Sequence, residues 1–219
     1  MEFALDVETE NRGPDIITDN KRIISIQIGD DKEVEVYWAD SPDPEMSLEN
    51  AKNRIKSLLD QAVTFAGFNI IGFDNIVLDN LLGIKIPEEN ILELTTTPKM
   101  LQFKQEIGRR NISLAYTCNK FGIDASHKEE MNKIANEFKK QDKIRTQASK
   151  AADQIVKTKQ WHRDFALNYC LNKIAGGCAI YDAYEKFRDS GGRRDMLFYR
   201  YARDDVVCEY RLLQALKSV

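Results

Sequence analysis

The chain lacks the features that would place it in a membrane or in an oxidising compartment. Its 219 residues include no apolar run near the about 20 residues that a transmembrane helix needs. The start, Met1-Glu2-Phe3, has neither the basic nor the apolar region of a signal peptide. The cysteines show no Cys-x-x-Cys spacing and no nearby histidines, so we expect reduced thiols in a cytoplasmic protein. They are Cys118, Cys170, Cys178 and Cys208.

The chain also has no surplus of basic residues and only two histidines. Lysine and arginine number 32 against 35 acidic residues, so a net charge of −3 gives no sign of a nucleic-acid partner. Acids that bind metal ions add negative charge that the ions would cancel, so this net charge does not exclude a nucleic-acid substrate. The two histidines, His127 and His162, are both expected on the surface. Repeats and low-complexity tracts are absent, and the length fits one domain over residues 1–219.

The first half of the sequence predicts a sheet that begins with an antiparallel meander. Apolar and β-branched residues alternate or run together between turn signals such as Gly29-Asp30-Asp31. Strands are predicted at residues 3–8, 22–29, 33–39, 63–68 and 91–94. Helices are predicted at 51–62, after Ser47 as N-cap, and at 71–82, before Gly83.

From about residue 111 the pattern becomes helical. A short helix is predicted near 112–115, and a last helix at 193–216. The segment 124–195 between them predicts two or more helices, a lysine-rich one over 127–159 and another over 160–188. The fold class expected from these elements is α/β, a mixed five-stranded sheet flanked by helices, with 124–195 as a helical insertion.

Two acids on the first strand are the first indication of chemistry. Asp6 and Glu8 are two residues apart, so they lie on one face of the strand. The strand is otherwise apolar and hence expected to be central, where two carboxylates need a partner. Mg²⁺ and Mn²⁺ prefer such oxygen ligands. An edge strand with two solvent-facing acids is the alternative.

Two later motifs add acids and a tyrosine. Asp74 ends Asn69-Ile70-Ile71-Gly72-Phe73-Asp74 at the start of a predicted helix, where a lone Asp is commonly a capping residue. Tyr201 and Asp205 are four residues apart on the last predicted helix, so they share a face. A helical tyrosine is more often a core aromatic residue. Neither motif alone specifies a function.

Taken together, the motifs resemble those of the DEDD 3′-5′ exonucleases. That family has a ribonuclease H-like fold and includes the proofreading domains of DNA polymerases, ribonuclease D and oligoribonuclease. The similarity follows family order over nearly the whole chain, in Asp6-x-Glu8, Asn69-x-x-x-Phe73-Asp74 and Tyr201-x-x-x-Asp205. One branch has a histidine five residues before the last Asp. Arg200 stands there, and the tyrosine four before Asp205 is typical of the DEDDy branch.

The resemblance implies a metal-dependent 3′-5′ exonuclease that releases nucleoside 5′-monophosphates by a two-metal-ion mechanism. It implies two Mg²⁺ or Mn²⁺ ions, held by Asp6, Glu8, Asp74 and Asp205. Tyr201 completes the catalytic set, by orienting water rather than by acting as a base. The substrate-binding residues that it implies are Thr9, Asn69 and Phe73.

The substrate expected is DNA with a single-stranded or frayed 3′ end, because the compact chain is most similar to exonuclease domains of DNA polymerases. An exoribonuclease is one alternative. A catalytically weak nucleic-acid-binding module of the same fold is another.

The segment 124–195 is longer than the family pattern. Its basic residues could follow a phosphate backbone or bind a protein partner, although interleaved acids also fit a solvated helix. They are Lys133, Lys139, Lys140, Lys143, Arg145, Lys150, Lys157 and Lys159. The aromatic residues Trp161, Phe165 and Tyr169 could stack on bases, but we expect them in the core.

Overall fold

A central strand carries the first motif. The structure is a computed structural model that describes residues 1–11, 13 and 20–218, and in this part of the chain five strands form one mixed sheet. They are β1 (Glu2–Asn11), β2 (Asn20–Gly29), β3 (Val34–Trp38), β4 (Thr64–Gly67) and β5 (Ile91–Glu93). In the order β3-β2-β1-β4-β5, the first three pair antiparallel and the last three pair parallel. The predicted α/β class and the central position of β1 are confirmed.

Eight α-helices accompany the sheet within the described residues. They are α1 (Leu48–Asp60), α2 (Asp74–Leu82), α3 (Pro98–Glu106), α4 (Leu114–Lys120), α5 (His127–Lys139), α6 (Asp142–Lys159), α7 (Arg163–Asp189) and α8 (Leu197–Lys217). Ser47 caps α1 through the backbone N–H of Asn50, and Gly83 ends α2 at a φ of 63°, both as predicted. The sequence missed α3.

Alternation along β1 separates two layers. Leu5 and Val7 are buried in a core formed with α1 and α2, which includes Ile55 and Leu58. Asp6, which lies between them, and Glu8 face the opposite side, where α8 crosses the sheet. The period of two therefore turns the acidic residues of β1 towards the last helix.

Three helices fill the segment between α4 and α8. The predicted lysine-rich helix is divided at Lys140-Gln141, so α5 and α6 are separate. Small residues such as Ala148 and Ala166 let α6 and the first half of α7 pack closely. α5 packs against the second half of α7 and against α8, which brings the start of α5 next to the sheet.

Two further expectations concern the environment of the chain. All four cysteines are free, as predicted. No helix among the described residues has both the length and the apolarity that a bilayer-spanning segment requires.

Candidate metal centre

Three of the predicted ligands come together. One ligand oxygen from each of Asp6, Glu8 and Asp205 lies within 4.8 Å of those of the other two. β1 supplies the first two. Its pairing register with β2 shifts directly after Glu8, and such irregularities change the direction of side chains and are common next to active sites. Asp205 comes from α8 and is 3% exposed. The three carboxylates form a compact group at the contact of sheet and helix.

Asp74 lies beside this group rather than within it. Its Oδ1 accepts a hydrogen bond of 2.9 Å from the backbone N–H of Val7, between the two acids of β1. Burial, and then the charge of Asp6, raise the pKa of Asp74 well above its usual range. The bond ties the first turn of α2 to β1. Asp74 therefore lies near enough to Asp6 for the charge of Asp6 to act on its carboxyl.

Tyr201 is at the site, as the motif predicts. It is 7% exposed, and its hydroxyl accepts a hydrogen bond from Lys128 Nζ at 3.2 Å, the same ammonium that pairs with Asp205. Burial and the charge of Asp205 raise the pKa of Tyr201 well above its usual value. The phenol therefore stays protonated at neutral pH, which favours an orienting role over that of a general base.

The prediction that His127 is a surface residue was wrong. Its side chain is 8% exposed, and its Nε2 lies 2.8 Å from Oδ1 of Asp205. Lys128 forms an ion pair with the other oxygen of Asp205, and its Nζ lies 4.6 Å from the ring centroid of Tyr201. No spacing rule could have found these two residues, because the contact with Asp205 spans 78 positions. His162 is exposed, as predicted.

A fifth carboxylate, Glu209, was also missed. It is 3% exposed, and its Oε1 accepts a 3.0 Å hydrogen bond from the backbone N–H of Phe68. Burial, and then the charges of Asp6 and Asp74, raise its pKa well above the usual range. The signal was present, since Tyr201, Asp205 and Glu209 follow one another at four-residue intervals on one helix face.

The surrounding residues supply too little positive charge to neutralise the acids of the site. Burial, and then the charge of Asp205, raise the pKa of Asp6 to about 7, and burial and Asp6 raise that of Glu8. Asp205 is the exception: burial alone would raise its pKa, but Lys128 and His127 hold it below the usual range. Among the described residues, Oδ2 of Asp6 and Oε2 of Glu209 are buried without a hydrogen-bond partner. Such oxygens are suited to a hard divalent cation.

The predicted substrate residues divide into two groups. Thr9 and Phe73 line a cavity of about 260 Å³ next to Glu8, with Gly176 of α7 on the opposite wall. Asn69 is exposed, outside this lining, and adopts a φ of 76°. Its backbone N–H donates to Glu93 at 2.9 Å, and its carbonyl accepts from Phe73. Asn69 therefore shapes the loop before α2, where an αL conformation suits asparagine.

Comparison with known proteins gives no relative from which a function could be transferred. The chain matches no family model, no curated protein and no solved structure. The resemblance to the DEDD exonucleases therefore rests on the sequence motifs.

Proposed function

We propose that this protein is a metal-dependent 3′-5′ exonuclease of the DEDDy type, with a ribonuclease H-like fold, that releases nucleoside 5′-monophosphates from DNA. The observation that carries the proposal is the convergence of Asp6, Glu8 and Asp205 within 4.8 Å beside the hydroxyl of Tyr201. These residues come from the two ends of the chain. Structural needs alone give no reason to gather buried like charges at one point.

The residues present fit two Mg²⁺ or Mn²⁺ ions. Asp6, Glu8 and Asp205 would hold one, and Asp6 with Asp74 would hold the other. The unpartnered Oδ2 of Asp6 and the raised pKa values of Asp6 and Asp74 support a cation at this position. When bound, the ions would activate water and stabilise charge on the leaving oxygen.

The chain's own residues position the reactants. The hydroxyl of Tyr201, which stays protonated and lies beside Lys128 and Asp205, can orient a water molecule without accepting its proton. Thr9 and Phe73 line the cavity beside Glu8, in which a terminal nucleotide would lie. Phe73 is half-buried at the start of α2, so its ring can contact a base or sugar. The carboxylates would then face the terminal phosphodiester.

One observation favours a weaker enzyme or a binding module of the same fold. Lys128 already supplies an ammonium to Asp205, the acid whose pKa is lowered. If this ion pair persisted with substrate bound, Asp205 could not serve fully as a ligand. The catalytically weak module therefore remains the second candidate, and the experiment below separates the two.

The test is the digestion of oligonucleotides that carry a label at the 5′ end or at the 3′ end, as DNA and as RNA. With Mn²⁺ or Mg²⁺, 5′-labelled DNA should shorten stepwise, and 3′-labelled DNA should release labelled mononucleotide at once. A chelator should stop both. RNA should be cut more slowly under the preferred reading and faster if the protein is an exoribonuclease.

Binding of DNA without shortening in either metal would contradict the exonuclease and support the module. Cleavage in the interior of the strand would indicate an endonuclease instead. Full activity in excess chelator would exclude the metal mechanism altogether.

A further inference from the structure

We propose that one face of α7 binds the upstream part of a single-stranded nucleic acid, an inference that rests on the exonuclease function proposed above. The residues of this face follow one another at intervals of three or four, so they share one side of the helix. They are Phe165, Tyr169, Asn172, Lys173, Gly176 and Ile180. From Gly176 to Phe165 the face extends roughly 16 Å, at about 1.5 Å of helix rise per residue.

The inner end of this α7 face is a wall of the cavity that Glu8 lines. Lys173, Gly176 and Ile180 line the cavity of about 260 Å³ that Glu8 and Phe73 line from the other side. A Cβ atom at Gly176 would meet no atom within 4 Å, so the helix surface is open at this point. A strand with its 3′ end at the carboxylates would therefore leave the cavity along α7.

The outer end of the α7 face is an aromatic cluster. The ring centroid of Trp161 lies 5.1 Å from that of Phe165 and 5.3 Å from that of Tyr169, and both pairs are in edge-to-face contact. Phe165 is 60% exposed, so the expectation that it packs in the core was wrong. Trp161 and Tyr169 are partly buried against α6 and hold the cluster in place. An exposed ring on a supported platform is suited to stacking with a base.

Two lysines accompany these rings. Lys159 Nζ lies 5.5 Å from the Trp161 ring centroid, and Lys173 Nζ lies 6.0 Å from that of Tyr169. Neither lysine forms an ion pair with a described residue. Surfaces that bind single strands combine rings for the bases with ammonium groups for the phosphates. The α7 face has both, in continuity with the cavity that Glu8 lines.

The geometry favours a single strand over a duplex or a protein partner. The cavity between Phe73 and Ile180 is of a size for one unpaired nucleotide rather than a base pair. A protein-docking face would present a contiguous apolar area, whereas here one exposed ring is bordered by Lys173 and by the exposed Asn172. Both alternatives are outcomes of the test.

The test measures the binding of 5′-labelled single-stranded DNA of about ten nucleotides, a length within the usual site sizes. Anisotropy is read in EDTA, so that metal-dependent hydrolysis does not proceed. Phe165→Ala should weaken binding about ten-fold, since it removes a stacking ring. Lys173→Ala should weaken it less and make its salt dependence shallower.

Two variants serve as matched controls. Tyr116→Ala removes another partly exposed ring, which has Arg109 and Lys120 near it but lies on α4. Lys56→Ala removes an exposed lysine on α1, on the opposite side of the sheet. Both should leave the affinity unchanged, because neither lies on the α7 face.

Tryptophan fluorescence gives a second, independent reading. The chain has two tryptophans, and Trp38 is 5% exposed, so a ligand at the surface acts on Trp161. The long single strand should quench the emission of Trp161, whereas a dinucleotide, which fills only the cavity, should not. Trp161→Phe should remove the quenching.

The outcomes separate this inference from the exonuclease proposal. Unchanged affinity in both the Phe165 and Lys173 variants, without quenching, overturns the α7 site even if the protein releases nucleotides. Tighter binding of a blunt duplex than of the single strand also overturns it. Single-strand binding with the expected losses, but without nucleotide release in Mn²⁺, supports the α7 site and contradicts the exonuclease.

Discussion

At the scale of the residue, the acids of the site differ in where their counter-charge comes from. Both oxygens of Asp205 are occupied by the chain itself, through His127 and Lys128. Asp6 instead has a buried oxygen without a partner and a pKa raised to about 7 by burial and by Asp205. The site is therefore partly neutralised from within, and a cation that binds at Asp205 must compete with Lys128.

The competition predicts the effect of Lys128→Met. Methionine keeps much of the side-chain volume but removes the ammonium, so Asp205 becomes free for a metal ion. We expect the affinity for Mn²⁺ to rise about ten-fold, which corresponds to about 1.4 kcal/mol. Titration calorimetry measures it, with Lys133→Met, an exposed lysine of the same helix, as control. A weaker affinity would show that Lys128 organises the site rather than competing with the metal.

The hydroxyl of Tyr201 gives a second prediction. Tyr201→Phe removes the hydroxyl, which accepts from Lys128, but keeps the ring, so the carboxylate cluster remains. If the hydroxyl only orients water, turnover should fall by about 10- to 100-fold, which is less than the roughly 10²- to 10⁴-fold that a proton-transfer group typically contributes. Initial rates of nucleotide release measure it, with Tyr199→Phe on the same helix as control. A loss as large as that of Asp6→Asn would mean that Tyr201 does more than orient.

At the scale of the element, α7 combines two tasks that conflict. It is 27 residues long and carries Gly176 and Gly177 near its middle, where glycine weakens a helix. Both glycines line the cavity beside Glu8. The absence of side chains there keeps the cavity open. The loss of helix stability is consistent with a need for space next to the carboxylates.

Substitutions at Gly176 test this reading of α7. Gly176→Ala should raise the free energy of unfolding by about 0.5–1 kcal/mol. Alanine favours the helical conformation more than glycine does, and the added Cβ meets no atom within 4 Å. Gly176→Trp should fill the cavity and abolish nucleotide release while the protein stays folded. Urea midpoints and initial rates measure the two effects. Full activity in the Trp variant would show that the substrate does not use this cavity.

The elements also show what a sequence can and cannot predict. The period of two in β1 and the four-residue spacing in α8 depend on local geometry, so the faces of Asp6 and Asp205 could be predicted. The break between α5 and α6 has no glycine or proline to mark it. The contacts of His127 and Lys128 arise only when α5 packs against α8. Long-range packing, which no local spacing encodes, therefore completes the site.

At the scale of the whole molecule, the buried acids connect pH with stability. The pKa of Asp6 is about 7 in the folded protein against an ordinary value of 3.8, so the folded state binds the proton more tightly. The resulting stability is fully present below about pH 4 and is lost as the pH rises through about 7. Glu8, Asp74 and Glu209 shift in the same direction.

The linkage predicts how the metal-free protein melts. In a chelator, its melting temperature should fall between about pH 5 and about pH 8. Asp6→Asn should flatten this dependence, because the amide does not titrate, and Mn²⁺ should raise the melting temperature of the wild type at the higher pH. Calorimetric scans at the two pH values measure these melting temperatures. A melting temperature that rises towards pH 8 in chelator would contradict the raised pKa values.

The most direct test of the account is whether the carboxylates bind metal. Titration calorimetry should show that Mn²⁺ binds to the wild-type protein with a stoichiometry of up to two, and that Asp6→Asn loses most of this binding. Asp60→Asn, which changes an exposed acid at the end of α1, should bind as the wild type does. No binding in the wild type, or equal binding in Asp6→Asn, would contradict the claim that these acids form a metal centre.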